Sequence, residues 1–209
     1  MAHDPRVRPR RRPSQERSRF TVDAILDAAA QVFEARGFAE GTTNRIAERA
    51  GVSVGSLYEY FPTKDAVAVA LAERELERER ESLLATLDGG GEGAEGVDAL
   101  LRRLVEAVLE LHTRRSALFR ILADESAHPP ELHACVLRFE ASLAHALEGE
   151  LRRRGAAPHD PDTAAHLVVQ TVESLAHRFV LRGIHDLPRE RFVEETTRLL
   201  AGYLGRGPD

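Results

Sequence analysis

Several side chains between positions 56 and 64 can donate hydrogen bonds to anionic oxygen atoms. Ser56, Tyr58 and Tyr60 carry hydroxyl groups, and Lys64, the only lysine in the chain, carries a positive charge. Hydroxyl and ammonium donors of this kind bind the phosphate oxygens of nucleic acids. Gly55 and Ser56 are small, so the backbone beside these donors can approach a ligand closely. The stretch therefore predicts contact with a DNA backbone.

Two short helices joined by a tight turn are predicted to position these donors, because residues 42–64 read TTNRIAERAGVSVGSLYEYFPTK. Thr42 or Thr43 is suited to cap the first helix, since a hydroxyl there accepts a bond from an unpaired backbone N–H. Gly51 is suited to end that helix in a left-handed conformation, and Ser53 to cap the second helix. Pro62 closes the second helix.

The spacing of apolar residues indicates which face of the second helix is buried. Leu57 and Phe61 stand at i and i+4 and are predicted to point inward. The remaining outward positions are Val54, Gly55, Ser56, Tyr58 and Tyr60. A helix, a short turn with glycine and a second helix form the helix-turn-helix pattern of DNA-binding proteins.

The segments AILDAAAQVFEARGF, TTNRIAERAGVSVGSLYEYF and TKDAV, within residues 20–70, resemble the N-terminal DNA-binding domain of the TetR family of bacterial transcriptional regulators. The resemblance implies that Thr43 caps a helix and touches a phosphate, that Asn44 or Arg45 reaches DNA, and that other polar residues contact the backbone. It implies also that Val54 and Gly55 face bases, so that reading of the sequence rests on apolar contact with thymine methyl groups and on Arg45. The full predicted DNA-binding set is Thr42, Thr43, Asn44, Arg45, Ser53, Val54, Gly55, Ser56, Tyr58, Tyr60 and Lys64.

Composition limits the class of protein. The chain has 209 residues, of which 43% are hydrophobic, with one cysteine and no tryptophan. The absence of an apolar run of about 20 residues predicts no membrane span, and together with the single cysteine it predicts a cytoplasmic protein. Cys135 is expected to be a core residue rather than a redox sensor.

Charge is distributed unevenly along the chain. Residues 1–64 carry a net charge of +3 and the remainder −8. Residues 1–19 hold seven arginines and three prolines and are predicted to be disordered in the free protein. This segment is either a solvated tail or an arm that follows phosphates beside the helix-turn-helix.

Helical periodicity and breaks at glycine and proline predict an all-α fold of about nine helices. The first helix is expected at about Thr21–Arg36, and the fourth from about Thr63 to Leu87. After a glycine-rich linker at Asp88–Gly96, five further helices are expected at about Val97–Arg114, Ser116–Ser126, Pro130–Arg154, Pro161–Ile184 and Pro188–Leu204. The predicted domains are residues 20–66 for DNA binding, with a connecting helix to about 87, and residues 97–205 for effector binding and dimerisation.

The resemblance to the TetR family implies a homodimer in which the last two long helices of each copy form a four-helix bundle. A short recognition helix reads few base pairs, so two copies on a palindrome also give affinity and half-site spacing. The apolar residues predicted at this interface are Leu167, Val168, Val172, Leu175, Phe179, Phe192, Leu199, Leu200 and Tyr203.

The family places a small-molecule effector inside its C-terminal helices. The polar and aromatic residues that could line such a pocket here are His112, Phe119, Phe139, His145, Glu173 and His177. The His and Glu spacings do not form a metal-binding or catalytic motif, so no metal, cofactor or enzymatic activity is predicted.

The sequence therefore predicts a DNA-binding transcriptional regulator, most simply a repressor that leaves a palindromic operator when a small molecule binds. Two alternatives remain open. One is an activator or a DNA-binding protein without a ligand, and the other is a metal-binding or catalytic helical domain localised to DNA.

Overall fold

The computed structural model describes residues 16–88, 96–114, 129–156, 160–182 and 186–205. Within these ranges the chain forms eight helices and no strand, which confirms the predicted all-α fold. The helix predicted over Ser116–Ser126 lies outside the described residues, and eight helices are described where about nine were expected. They are α1 (Glu16–Glu40), α2 (Thr43–Ala50), α3 (Val54–Tyr60), α4 (Lys64–Asp88), α5 (Val97–Thr113), α6 (Pro130–Arg153), α7 (Pro161–Arg182) and α8 (Arg189–Leu204).

The chain divides into two compact units. One comprises Met1–Leu76 with Arg115–Val136, and the other Glu77–Arg114 with Leu137–Asp209. In the first unit α1 packs against α2 and α2 against α3, whereas in the second α5 packs against both α7 and α8. No helix in the described part of the chain is both long and apolar enough to cross a membrane.

Helix α1 begins five residues earlier than the sequence predicted. Its first turn contains residues 16–19, which were expected to belong to a disordered arm, and Ser18 there donates a hydrogen bond to the Tyr60 hydroxyl over 3.2 Å. That expectation was wrong for these four residues because the partner lies 42 positions away, where no local pattern reveals it. Residues 1–15 of the predicted arm lie outside the described residues.

The C-terminal end of α1 contains a break at a glycine. Gly37 has φ 75° and ψ 172°, a conformation that residues with a Cβ adopt only with strain. Its φ is positive, and its ψ is extended rather than left-handed helical. The break lets Phe38 fold back, so that its ring lies 5.4 Å from that of Phe33.

A continuous apolar core holds the first unit together. Ile25, Phe33, Ile46, Leu57 and Phe61 are completely buried. Each such side chain contributes about 1.5–3 kcal/mol relative to an exposed one. The inward direction predicted for Leu57 and Phe61 is therefore confirmed.

Helix α4 buries an apolar stripe on one face and carries charged residues on the opposite face. Leu76, Leu83 and Leu87 are buried. On the exposed side Arg80 lies 2.5 Å from Glu77, and this hydrogen bond lowers the pKa of the Glu77 carboxyl. Pairs of this kind on an exposed surface add little stability.

Cys135 is a core residue, as the sequence predicted. Its side chain is 4% exposed, and its Sγ lies 3.9 Å from the carboxylate oxygen Oε1 of Glu73. A buried thiol of this kind packs as a small apolar side chain.

We predict that Gly41→Ala destabilises the first unit by about 1–3 kcal/mol through overpacking. A Cβ at Gly41 would stand 2.5 Å from Cδ1 and 2.7 Å from Cε1 of the buried Phe33 ring. Thermal unfolding followed by circular dichroism measures the change. Gly202→Ala in α8 is the control, because a Cβ there meets no atom within 4 Å. Equal melting temperatures for wild type and Gly41→Ala would contradict the close packing.

Candidate nucleic-acid interface and buried polar cluster

Three capping residues set the ends of α2 and the start of α3. Thr42 accepts a hydrogen bond from the Arg45 amide over 3.4 Å and so caps α2. Gly51 ends α2 in the left-handed conformation, with φ 69° and ψ 26°. Ser53 accepts from the Ser56 amide over 2.9 Å and caps α3. These caps agree with the sequence prediction, which gave Thr42 or Thr43 for the start of α2, Gly51 for its end and Ser53 for the start of α3.

Thr43 is not the cap that the resemblance implied. It is the first residue of α2, and its Oγ1 lies 3.1 Å from the Tyr58 hydroxyl instead. In such a pair one hydroxyl hydrogen forms the mutual bond, and the other remains available to an outside acceptor. The start of α2 and the exposed face of α3 therefore share one hydroxyl hydrogen that the pair itself does not use.

The outward face of α3 combines apolar and hydroxyl groups. Val54 is 37% and Tyr58 42% exposed, and Gly55 between them is exposed as well. The Ser53 and Ser56 hydroxyls lie 2.9 Å apart, which again leaves one hydrogen for an external acceptor. Apolar groups beside hydroxyl donors suit contact with thymine methyl groups and with phosphate oxygens.

The two cations of the predicted DNA-binding set are directed to the end of α1. Lys64 donates to the carbonyl oxygens of Phe38 at 2.8 Å and Ala39 at 3.4 Å, and its Nζ lies 4.1 Å from the centre of the Phe38 ring. Arg45 Nη1 donates to the Glu40 carbonyl over 2.7 Å. Asn44, in the first turn of α2, is exposed.

Sequence reasoning missed the partners of these side chains. Ser18, whose hydroxyl bonds to Tyr60, stands in an arginine-rich stretch with no apolar periodicity. Gln31 accepts a 2.6 Å bond from Arg49 Nε and so ties α1 to α2. No local signal marks such residues, because their partners are brought together only by the packing of α1.

A buried polar cluster lies in the second unit where α5 packs against α7. His112 is 5% exposed, and its Nε2 lies 2.8 Å from Glu173 Oε2. The His177 ring meets the His112 ring edge-on, with centroids 5.7 Å apart. Glu173 Oε1 is buried and has no hydrogen-bond partner among the described residues. Three of the six predicted effector residues are thus brought together.

Two of the other three predicted effector residues lie in the described part of the chain. His145 was expected in a pocket, but its side chain is 88% exposed and lies 3.8 Å from Glu148, so that prediction was wrong. Phe139 is buried in α6. Phe119 lies outside the described residues. Within the described ranges, no group of three or more His, Cys, Asp or Glu side chains could hold a metal ion.

The nine predicted interface residues differ in how far a single chain buries them: some are buried, some are half-buried and some are exposed. Val168, Val172, Phe192 and Leu200 are buried, so they belong to the core of their own unit and cannot form the contact surface predicted for them. Helical periodicity marked them as apolar but could not show which neighbour covers them. Leu175 and Phe179 are half-buried, and Phe179 packs on Phe192 with ring centroids 4.4 Å apart. The residues of the set that remain exposed are Leu167 at 47%, Leu199 at 58% and Tyr203 at 44%.

Family comparisons match most of the chain. Residues 25–71 match the bacterial regulatory proteins of the tetR family, and residues 97–204 match the Tetracyclin repressor-like C-terminal domain. The chain belongs to the TetR family. As a TetR-family member it is a DNA-binding transcriptional regulator, which confirms the central prediction from the sequence.

Individual relatives extend the match over nearly the whole chain. The uncharacterized HTH-type transcriptional regulator YdgC of Bacillus subtilis is 30% identical over 191 residues, which cover 88% of this chain and 93% of YdgC. The nucleoid occlusion factor SlmA of Vibrio cholerae is 27% identical over 180 residues, covering 82% of this chain and 90% of SlmA. The structure of a TetR-family regulator from Mesorhizobium loti superposes with a TM-score of 0.70 at 21% identity, covering 91% of this chain and 98% of that one. The Mesorhizobium loti regulator and this chain have the same fold.

We predict that Tyr58→Phe weakens DNA binding by about three- to tenfold on all sequences alike, since it removes one neutral hydrogen bond. Thr43→Val should act similarly, and the double variant should lose less than the two single losses combined, because both remove the same hydroxyl pair. Fluorescence anisotropy on several duplexes measures the affinities. Ser82→Ala, which removes an exposed hydroxyl from α4 outside both proposed surfaces, is the control. A changed order of preference among the duplexes would contradict a backbone role for Tyr58.

Proposed function

We propose that this protein is a ligand-responsive repressor that binds a palindromic operator as a homodimer and leaves it when a small molecule binds. The observation that carries the proposal is the exposed face of α3. Val54, Gly55 and Tyr58 on this face are exposed, whereas Leu57 and Phe61 are buried in the core. In this proposal residues 20–66 bind DNA, α4 is the connector, and residues 97–205 bind the effector and the second copy.

The proposed contacts with DNA follow from the side-chain chemistry of α2 and α3. Val54 and Gly55 face bases, and reading by such side chains relies on apolar contact and close approach of the backbone. The hydroxyls of Thr43 and Tyr58 and those of Ser53 and Ser56 donate to phosphates. Thr42, Asn44 and Tyr60 complete the backbone contacts around this surface. Because α3 has only seven residues, one copy reads few base pairs and a second copy is needed.

The second copy is proposed to dock on α7 and α8. Leu167, Leu199 and Tyr203 expose about half of their surfaces each. The buried apolar side chains of these helices include Val168, Val172, Phe192 and Leu200. Large exposed apolar residues on adjacent helices are typical of a subunit interface. A four-helix bundle between two copies would bury them.

The effector is proposed to bind at the buried polar cluster of His112, Glu173 and His177. A buried carboxylate oxygen without a partner is destabilising, by about 1–3 kcal/mol or more. A ligand with an N–H or O–H group could supply the missing donor to Glu173 Oε1. A ligand that binds the released conformation better than the DNA-bound one shifts the population toward release, and a coupling of about 1–3 kcal/mol suffices for a 5- to 150-fold loss of affinity.

Selection of duplexes from a random library, followed by anisotropy at two salt concentrations, tests the repressor proposal. We expect one palindromic sequence to be bound tightly and with strong salt dependence, and random DNA weakly. Metabolite screening against that complex should then find compounds that release it. Equal affinity for all duplexes would refute an operator-specific regulator.

Glu173→Gln separates the effector site from the DNA-binding surface. We expect this variant to bind the selected operator with unchanged affinity and to require a higher concentration of the releasing compound. Gln170→Glu, which alters an exposed residue one turn earlier in α7, is the control. Release at the same concentration in wild type and Glu173→Gln would place the effector elsewhere.

We predict that Leu199→Glu converts the homodimer into a monomer and lowers operator affinity by at least about tenfold, because a charge would be buried in the interface. Analytical ultracentrifugation measures the mass. Leu137→Glu is the matched control, since Leu137 is 46% exposed on α6 and is not in the proposed interface. A dimeric Leu199→Glu protein would exclude this face as the interface.

A further inference from the structure

The last carbonyl groups of α1 are capped by cations from two other helices. Arg45, in the first turn of α2, donates to the Glu40 carbonyl over 2.7 Å. Lys64, the first residue of α4, donates to the carbonyls of Phe38 and Ala39 over 2.8 and 3.4 Å. We call these five residues the α1 clasp. Three helices meet in it.

The end of α1 needs these donors from outside. Residues 38–40 form a short helical turn after the break at Gly37, and carbonyl groups at the end of a helical segment have no partner within it. Basic side chains in a last turn often bond to such carbonyls, but this short turn contains none of its own. Arg45 and Lys64 supply the missing positive charges.

Lys64 occupies a position that its own helix disfavours. A cation at the N-terminus of a helix opposes the positive end of that helix dipole. The contacts with α1 offset this, because the Lys64 ammonium has two carbonyl acceptors and lies 4.1 Å from the centre of the Phe38 ring. Phe38 in turn packs on Phe33 in the core. The only lysine of the chain is thus anchored to α1.

We propose that Arg45 and Lys64 are positioning residues, which act on DNA binding by joining α1, the start of α2 and the start of α4 into one rigid body. The α1 clasp then holds the helix-turn-helix in the geometry that fits DNA, and a displacement of the first turn of α4 carries α2 with it. This role is distinct from direct contact with phosphate. It rests on the DNA-binding function proposed above.

The salt dependence of affinity distinguishes positioning from direct contact. Loss of one phosphate contact lowers the slope of log K against log salt concentration by about 0.9. Loss of positioning lowers affinity while the slope stays unchanged. For Lys64→Met we expect about tenfold weaker binding to the selected operator at each salt concentration with parallel slopes, because charged hydrogen bonds are lost. Lys64→Arg, whose guanidinium can also donate to carbonyls, should recover most of the affinity.

Hydrogen exchange tests the α1 clasp without DNA, so its outcome does not depend on whether an operator is found. In Lys64→Met, peptides from the end of α1 and the first turn of α4 should exchange about tenfold faster, while peptides from α5 to α8 remain unchanged. Arg36→Met is the control, because it removes an exposed positive charge from α1 outside the clasp. Unchanged exchange in Lys64→Met would overturn the proposal. A slope lowered by about 0.9 would equally overturn it and would assign Lys64 to a phosphate.

Discussion

The burial of Leu57 and Phe61 determines which side chains α3 can offer to a partner. Both side chains are completely enclosed by the first unit, so α3 cannot rotate without exposing them to water. Val54, Gly55 and Tyr58 are held outward as a result. The caps at Thr42, which starts α2, and at Ser53, which starts α3, add the second restriction, because they fix where each helix begins. A surface of this kind is ready before DNA arrives, so little ordering is needed on binding.

Local signals were sufficient to predict the helix-turn-helix. Gly51 and Ser53 act within their own turn, and their conformations follow from the properties of glycine and serine next to a helix end. The helix ends of the second unit were likewise predicted to within a few residues from proline and glycine. The choice between Thr42 and Thr43 as the cap could not be made in this way. It depends on the Tyr58 hydroxyl, which competes for Thr43 from another helix.

Long-range contacts account for the predictions that were wrong. The helical form of residues 16–19, the exposure of His145 and the burial of Val168 and Leu200 all depend on which element packs against them. An apolar stripe shows that a helix has a covered face, but it does not show whether the same chain or a second copy covers it. For α7 and α8 the structure divides the stripe, with Val168 inside and Leu167 outside. The pairing of His112 with Glu173, 61 positions apart, is equally invisible to periodicity.

The anchoring of Lys64 to α1 has a consequence for chemical labelling. Since this is the only lysine, reagents that acylate side-chain amines have a single target in the chain. An ammonium that donates to two carbonyl groups must first leave them and lose a proton before it can react. The rate of acylation at Lys64 therefore reports how often the junction between α1 and α4 opens. Attachment of the protein to a solid support through the Lys64 amine would trap that junction open.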